Sequence, residues 1–318
     1  MAQTMTAGAQ LKRGHRQREK RETRTGWMFL APFLILFTVC FLIPIFVSIY
    51  QSFFQQKAAG GGLYGGGGVQ ENVFVAFDNY KYVVTSVELW AGMGRILLFG
   101  IIQVPVMIIA ALALALLIDS ITVRHPGPWR LSYFLPYAVP GVVAAVLWTY
   151  IYHPQMSPIN KVLESIGASG ISFFDPKIII LSMANMTTWT FTGYNMLIFL
   201  AALQAIPKDL YEAARIDGAT NWQVIRKIKI PLVADAALLA ILLSIIGTVQ
   251  LFNEPTVMRA ANPWMSADYM PMLMAYNTLM GNLSPSGNGP ASAVSIVMAL
   301  IAGVLAVFYF LIQRKVVK

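Results

Sequence analysis

The strongest constraint on this chain is a series of six apolar segments, each long enough to cross a lipid bilayer as a helix. A transmembrane helix needs about 20 mainly apolar residues, because the hydrocarbon core of the bilayer is about 30 Å thick. Only 12% of the 318 residues are charged, which is about half the share found in soluble domains. The pattern predicts an all-α, polytopic membrane protein without a separate soluble domain. The six predicted transmembrane helices lie near residues 27–50, 92–118, 131–152, 178–203, 232–252 and 291–312.

The positive charges predict how these helices are oriented. Residues 1–26 form a basic tail that we expect to lie in the cytoplasm, ahead of a transmembrane domain over residues 27–318. With the N-terminus inside, most of the 23 Lys and Arg residues fall on the cytoplasmic side, as the positive-inside rule requires. This N-in, C-in arrangement places the polar loop 204–231 in the cytoplasm. A tail that binds nucleic acid is the alternative, but orientation of the first span already accounts for the charge, and we expect no nucleic-acid partner.

The polar loop between the fourth and fifth apolar segments has the pattern helix, turn, helix. Asp209 and Glu212 have the spacing of a capping box, and Gly218 is placed to end that first short helix. Thr220 and Gln223 form a second capping box, which opens another helix before the next span. Two capped helices are more than a connection requires, so we predict that this loop docks against a partner. An ordinary helical hairpin is the alternative.

The same loop carries a family resemblance. Glu212-Ala213-Ala214, followed at fixed spacing by Gly218, Ile228 and Ile230-Pro231, resembles the EAA loop of binding-protein-dependent ABC importer permeases. The family usually has Leu where this chain has Ile230. The resemblance extends from about Trp27 to Arg314 and is closest to the carbohydrate-uptake branch, in particular to the first of two paired sugar permeases. The further matching segments are 31–33, 43–44, 77–80, 112–117, 134–137, 147–148 and 251–254.

This resemblance implies a set of partners and a location. The expected complex contains a second permease in a heterodimer, two ATP-binding subunits that hold ATP and Mg²⁺, and an extracytoplasmic solute-binding protein, all at the bacterial inner membrane and its lipid. The small alanines of the loop would permit close approach of an ATP-binding subunit, and Arg215 or Asp217 could form ion pairs with it. The predicted coupling residues are Glu212, Ala213, Ala214, Arg215, Asp217, Gly218, Ile228 and Pro231.

Several kinds of catalytic and metal chemistry are missing from the sequence. The glycine stretches Gly60–Gly62 and Gly65–Gly68 are not followed by Lys-Ser/Thr, so they do not form a Walker A loop and are more typical of a flexible linker. The three histidines and Cys40 show no metal-ligand spacing. We therefore expect no catalytic residue, no metal site and no cofactor in this chain, and we expect ATP hydrolysis in a separate subunit.

Two polar sets within the apolar segments are candidates for contact with a transported solute. The first recurs at helical spacing in the fourth segment, where amide and hydroxyl groups beside an aromatic plane suit a sugar. Hydrogen bonding between helices is the alternative explanation. The second set is predicted to share a face at the outer end of the fifth segment. The candidates are Asn185, Thr188, Trp189, Thr192 and Asn195 in the first set and Gln250, Asn253 and Glu254 in the second.

Together these patterns predict a permease subunit of an ATP-driven ABC importer for a sugar or a related small polar solute. A permease for amino acids or peptides is the nearest alternative. An ion-coupled secondary carrier is less favoured, because such carriers bury ionisable groups in mid-span, whereas Asp119 and Asp235 lie near the inner ends of their segments. A membrane enzyme or assembly scaffold would need a catalytic constellation that the sequence does not contain.

Overall fold

The computed structural model of the protein describes residues 23–59, 69–120 and 125–316. The predicted basic tail, apart from its last residues 23–26, lies outside the described residues, and so do both glycine stretches, Gly60–Gly62 and Gly65–Gly68. The described chain is helical except for one antiparallel hairpin, in which Phe54 pairs with Phe74. The flanks of the predicted linker therefore form an ordered hairpin.

The helices and strands follow one another in a simple order. The hairpin consists of β1 (Phe54–Ala59) and β2 (Val69–Phe74). The first and ninth helices each contain a π-helical turn, at Thr38–Leu42 and Ile225–Lys229. The helices are α1 (Thr23–Gln51), α2 (Asp78–Thr85), α3 (Val87–Ile118), α4 (Pro126–Ala138), α5 (Gly141–Tyr152), α6 (Pro158–Ser165), α7 (Ile179–Gln204), α8 (Lys208–Ile216), α9 (Asn221–Leu232), α10 (Ala234–Val249), α11 (Asn253–Ala261), α12 (Pro271–Leu279) and α13 (Asn288–Val316).

Three of the helices in the described residues, α1, α3 and α13, are each long and apolar enough to cross a membrane. The number rises to six if each of three bent pairs is one span: α4 with α5 at 94°, α7 with α8 at 69°, and α9 with α10 at 58°. The segment 131–152, predicted as one helix, is broken because Val139 adopts an extended conformation before Pro140. A proline disfavours helical geometry in the residue that precedes it.

Helices α3 and α7 lie side by side, and both contribute residues to each of the two clusters of the buried core. At one end Phe99 and Met183 belong to a cluster that includes residues of α12 and α13, and at the other end Met107 and Phe199 belong to a cluster with residues of α8 and α10. Helix α1 differs, because none of its residues is buried within the described part of the chain. Its exposed apolar surface suits contact with lipid or with another membrane subunit.

The packing of α4 against α7 depends on a glycine and gives a first testable prediction. A Cβ atom at Gly193 would overlap the backbone carbonyl of Tyr133. Backbone atoms cannot move aside as a flexible side chain can, so Gly193→Ala is expected to cost about 1–3 kcal/mol of stability. The melting temperature of the purified protein in detergent tests this. Gly94→Ala is the matched control, because no atom lies within 4 Å of the added carbon; an equal effect at both positions would contradict the packing argument.

Candidate functional site

Helices α8 and α9 meet at a tight turn centred on Gly218. Gly218 has a φ of +78°, a left-handed conformation that glycine adopts without steric cost. The Ala219 amide donates a hydrogen bond to the Ala214 carbonyl at 2.9 Å, which satisfies the end of α8. The predicted capping box at the start of α9 is confirmed, because Thr220 and Gln223 exchange side-chain and backbone hydrogen bonds. The turn is therefore fixed on both sides by local interactions.

The predicted capping box at Asp209 and Glu212 is wrong. Helix α8 begins one residue before Asp209, with Pro207 at the N-cap position, and the described residues include no side chain that caps it. Proline has its φ angle fixed near the helical value, so it starts the helix earlier than the capping pattern suggests. Asp209 lies in the first turn instead, where its negative charge is favourable near the positive end of the helix dipole.

The tip formed by α8 and α9 exposes large apolar side chains. Ile216 is 86% exposed and Trp222 is 67% exposed. Most of the predicted coupling residues are exposed as well, while Ala214 and Ile228 are half-buried and line a surface groove of about 380 Å³ between the two helices. We name the exposed surface of α8 and α9 the coupling surface. The apolar side chains of the coupling surface are shielded from water only when another molecule packs against them.

An ion pair joins the coupling surface to the membrane helices. The Lys229 ammonium in α9 lies 2.6 Å from Asp119 Oδ2, directly after the end of α3, and both side chains are less than one-fifth exposed. Lys229 also lies 5.2 Å from the centre of the Tyr211 ring in α8. The Lys229 side chain, which extends from α9, thus contacts both α8 and the residue that follows α3. The sequence placed Asp119 near the inner end of its segment but gave no partner for it.

A cavity of about 310 Å³ lies where α3, α7 and α10 meet the start of α11. Its polar wall contains four of the residues predicted to contact solute. Its apolar wall includes Phe99, Leu243 and Phe252, with the aromatic rings of Tyr137 and Tyr194 stacked nearby at 4.7 Å. We name this space the membrane cavity. The predicted residues that line it are Asn195, Gln250, Asn253 and Glu254.

Glu254 is the one carboxylate among the described residues of the membrane cavity, and it is only 9% exposed. Thr187 Oγ1 donates a hydrogen bond of 3.1 Å to its Oε1 atom. Glu254 lies in the first turn of α11, where free backbone N–H groups favour a negative charge. The fifth segment does not continue as one helix to this point, since α10 ends at Val249 and a new helix starts at Asn253. The break, rather than a shared helical face, brings Gln250 and Glu254 to the same cavity.

The other members of the polar set in α7 lie on a neighbouring face of that helix. The Asn185 amide donates to the Tyr152 hydroxyl at 2.8 Å, and Trp189 packs edge-to-face against Trp148 at 5.8 Å, both across the contact with α5. Thr192 donates to the Thr188 carbonyl one turn earlier. Of the set, only Asn195 reaches the membrane cavity. A solute contact at the remaining four positions stays a prediction.

The sequence analysis did not predict most of the other residues that line the cavity, among them Gln103, Thr187, Tyr137 and Tyr194. Gln103 is 2% exposed and is an amide within the apolar helix α3, and that isolation is a signal that could have identified it. Thr187 is adjacent in sequence to Thr188 of the predicted set but lies outside the arc that the set covers on α7, so helical spacing excluded it. Tyr137 and Tyr194 stack across α4 and α7, a pairing that no local pattern indicates.

Comparison with known proteins places this arrangement in a family. The family described as "Binding-protein-dependent transport system inner membrane component" matches residues 104–318. The chain belongs to this family. The resemblance carried by the EAA loop is thereby confirmed, and the chain is a permease of the inner membrane. The apolar helices α1, α3 and α13 agree with that location.

Related permeases match nearly the whole chain. The lactose transport system permease protein LacF of Rhizobium radiobacter is 30% identical over 297 residues, covering 91% of this chain and 94% of the relative. The sulfoquinovosyl glycerol transport system permease protein SmoG of Agrobacterium fabrum (strain C58 / ATCC 33970) is 29% identical, covering 91% and 90%. Among solved structures, a bacterial alginate ABC transporter in complex with an alginate-bound periplasmic protein matches with a TM-score of 0.76 at 19% identity, covering 94% of this chain and 98% of that one. This structural likeness shows that the fold is shared.

Proposed function

We propose that this permease is the membrane subunit of an ATP-driven importer that carries a sugar or a related small polar solute into the cell. The names of its relatives support this cargo, since they include transport systems for lactose and for sulfoquinovosyl glycerol. The proposed complex contains a second permease, two ATP-binding subunits that hold ATP and Mg²⁺, and an extracytoplasmic solute-binding protein. In this proposal the chain itself hydrolyses nothing.

The observation that carries the proposal is the exposed coupling surface. Ile216 and Trp222 extend from a tip in which the turn at Gly218 and the start of α9 are satisfied by hydrogen bonds within the tip itself. A rigid element with unburied apolar side chains is suited to dock into a cleft of another protein. In the proposed orientation, with both termini inside and six spans in total, this tip lies in the cytoplasm, where ATP-binding subunits are found.

The proposed mechanism follows the contacts from the tip to the membrane. When two ATP-binding subunits close on ATP, they displace α8 and α9 as one unit. The Lys229–Asp119 ion pair transmits the displacement to the end of α3, and α3 packs along α7 beside the membrane cavity. Relative movement of these helices would open the cavity alternately to the two sides of the membrane. Solute released by the binding protein would enter from the outside.

Reconstitution tests the proposal directly. The permease, its partner permease and the ATP-binding subunits are assembled in proteoliposomes, and the binding protein with a labelled sugar is added on one side. We expect uptake that requires ATP on the side of the coupling surface and that ionophores leave unchanged. Uptake that continues without ATP but stops when ionophores collapse an ion gradient would contradict the proposal and would indicate a secondary carrier.

A further inference from the structure

The charges of the membrane cavity indicate which sugars it accepts. We propose that the cavity selects neutral polyhydroxylated solutes and rejects anionic ones, such as uronates and sugar phosphates, with Glu254 and Gln250 as residues that determine this specificity. This inference rests on the proposed import function and refines its cargo. It is informative because the transport systems of the relatives include one for lactose, which is neutral, and one for sn-glycerol-3-phosphate, which is anionic.

The first argument is electrostatic. In the described part of the chain, no lysine or arginine lines the membrane cavity, and the carboxyl group of Glu254 is buried in its wall. An anionic solute that enters this space loses its hydration and gains no cation in return, which is a large cost in a site surrounded by apolar helices. Ionised Glu254 would add direct repulsion. A neutral solute avoids both costs.

The second argument is hydrogen bonding. Thr187 occupies one of the two carboxyl oxygens of Glu254, and the other can accept a hydrogen bond from a solute hydroxyl. The amides of Gln250 and Asn253 lie in the same wall and can both donate and accept. The rings of Phe252, Tyr137 and Tyr194 supply flat apolar faces for the C–H groups of a sugar ring. These are the partners that a neutral polyol requires.

Gln250 provides a variant that tests the inference without disturbing the core. It is exposed on the surface of the isolated chain and follows the end of α10, yet it lines the cavity, so a larger or charged side chain can be placed there without displacing a buried neighbour in this chain. Gln250→Arg adds a cation at the cavity wall, and Gln250→Glu is the control of opposite charge. A charge-assisted hydrogen bond is stronger than a neutral one, and the difference corresponds to about a tenfold change in the affinity of the cavity for an anionic solute.

The experiment measures thermal stabilisation of the purified complex of both permeases and the ATP-binding subunits. The binding protein is omitted, so that its selectivity does not enter. The probes are matched sugars that differ only in a hydroxymethyl or a carboxylate group: glucose and glucuronate, galactose and galacturonate, mannose and mannuronate. For the unaltered complex we expect the neutral member of at least one pair to stabilise at about tenfold lower concentration than its acid. Gln250→Arg should reduce or reverse that preference, and Gln250→Glu should increase it.

Three results would overturn the inference. These are stabilisation by the acids that equals or exceeds that of the neutral sugars, no stabilisation by any neutral sugar, or a preference that neither variant changes. Failure here is distinct from failure of the importer proposal. A complex that imports an anionic sugar in an ATP-dependent manner would refute the neutral cargo and leave the importer intact, whereas ATP-independent uptake would refute the importer whatever the sugar.

Discussion

Replacing Ala213 with aspartate is expected to abolish ATP-driven uptake while the permease still inserts in the membrane. Ala213 is exposed on α8 and makes no core contact, so the change should leave the fold intact. At the proposed interface it would place an unpaired charge where water is excluded, at a cost of about 3 kcal/mol or more. That corresponds to a loss of affinity for the ATP-binding subunit of at least about a hundredfold. Co-purification of that subunit and sugar uptake measure the effect.

An alanine elsewhere supplies the control for this experiment. Ala168 is also exposed, but it follows α6 far from the coupling surface in sequence, so Ala168→Asp should leave co-purification and uptake near their normal values. Trp222→Ala gives a second variant of the coupling surface, which removes an exposed apolar side chain without adding charge. Aromatic residues of this kind often dominate binding energy. Normal uptake and co-purification in both Ala213→Asp and Trp222→Ala would refute the docking role of α8 and α9.

Replacing Lys229 with methionine is expected to uncouple ATP hydrolysis from transport. The substitution leaves Asp119 without its partner in a site that is less than one-fifth exposed, and the cost should be about 2 kcal/mol, between the values for surface and buried pairs. The coupling surface itself is unchanged, so the ATP-binding subunits should still bind. We expect ATP hydrolysis to persist while uptake per ATP falls about tenfold or more. Parallel assays of hydrolysis and uptake in proteoliposomes test this.

Charge reversal separates transmission through the ion pair from general damage. Asp119→Lys combined with Lys229→Asp restores an ion pair of opposite orientation and should recover part of the uptake that either single change removes. Asp235→Asn is the matched control, because Asp235 is an exposed carboxylate in the first turn of α10. If the double variant is no better than the single ones, the ion pair does not link the coupling surface to α3.

Local patterns predicted the features that depend on neighbouring residues. The Thr220 capping box and the turn at Gly218 were predictable, because their partners lie within a few residues and the conformation of glycine is intrinsic. The same reasoning failed at Asp209, where Pro207 starts the helix earlier. The apolar segments correctly indicated where long apolar helices occur in the chain, but hydropathy does not report the direction in which a helix axis runs. It therefore gave no sign of the 94° bend before Pro140.

The candidate site shows the limit of that approach. Helical spacing grouped Asn195 with Asn185 and Trp189, yet only Asn195 faces the membrane cavity. The other two residues pack across the contact with α5. The spacing of residues in the sequence defines which side chains share one face of a helix. Which other helix or cavity that face contacts depends on how the whole helices pack together. The fifth segment was predicted to carry Gln250, Asn253 and Glu254 on one helical face, whereas α10 ends at Val249 and Glu254 lies in a buried wall of the cavity at the start of α11.

The sequence by itself determined that this chain is helical and rich in apolar segments long enough to cross a membrane, since hydropathy is a property of short stretches of chain. The resemblance of the loop around Glu212 added the permease family, because that motif too is local. Only the tertiary structure decided which polar groups meet. Thr187 and Glu254 are 67 residues apart, and Asp119 and Lys229 are 110 residues apart. Each pair is brought together by the packing of apolar helix faces, and many alternative pairings satisfy the same local patterns. The charge of the membrane cavity, and with it the proposed choice of solute, follows from that packing.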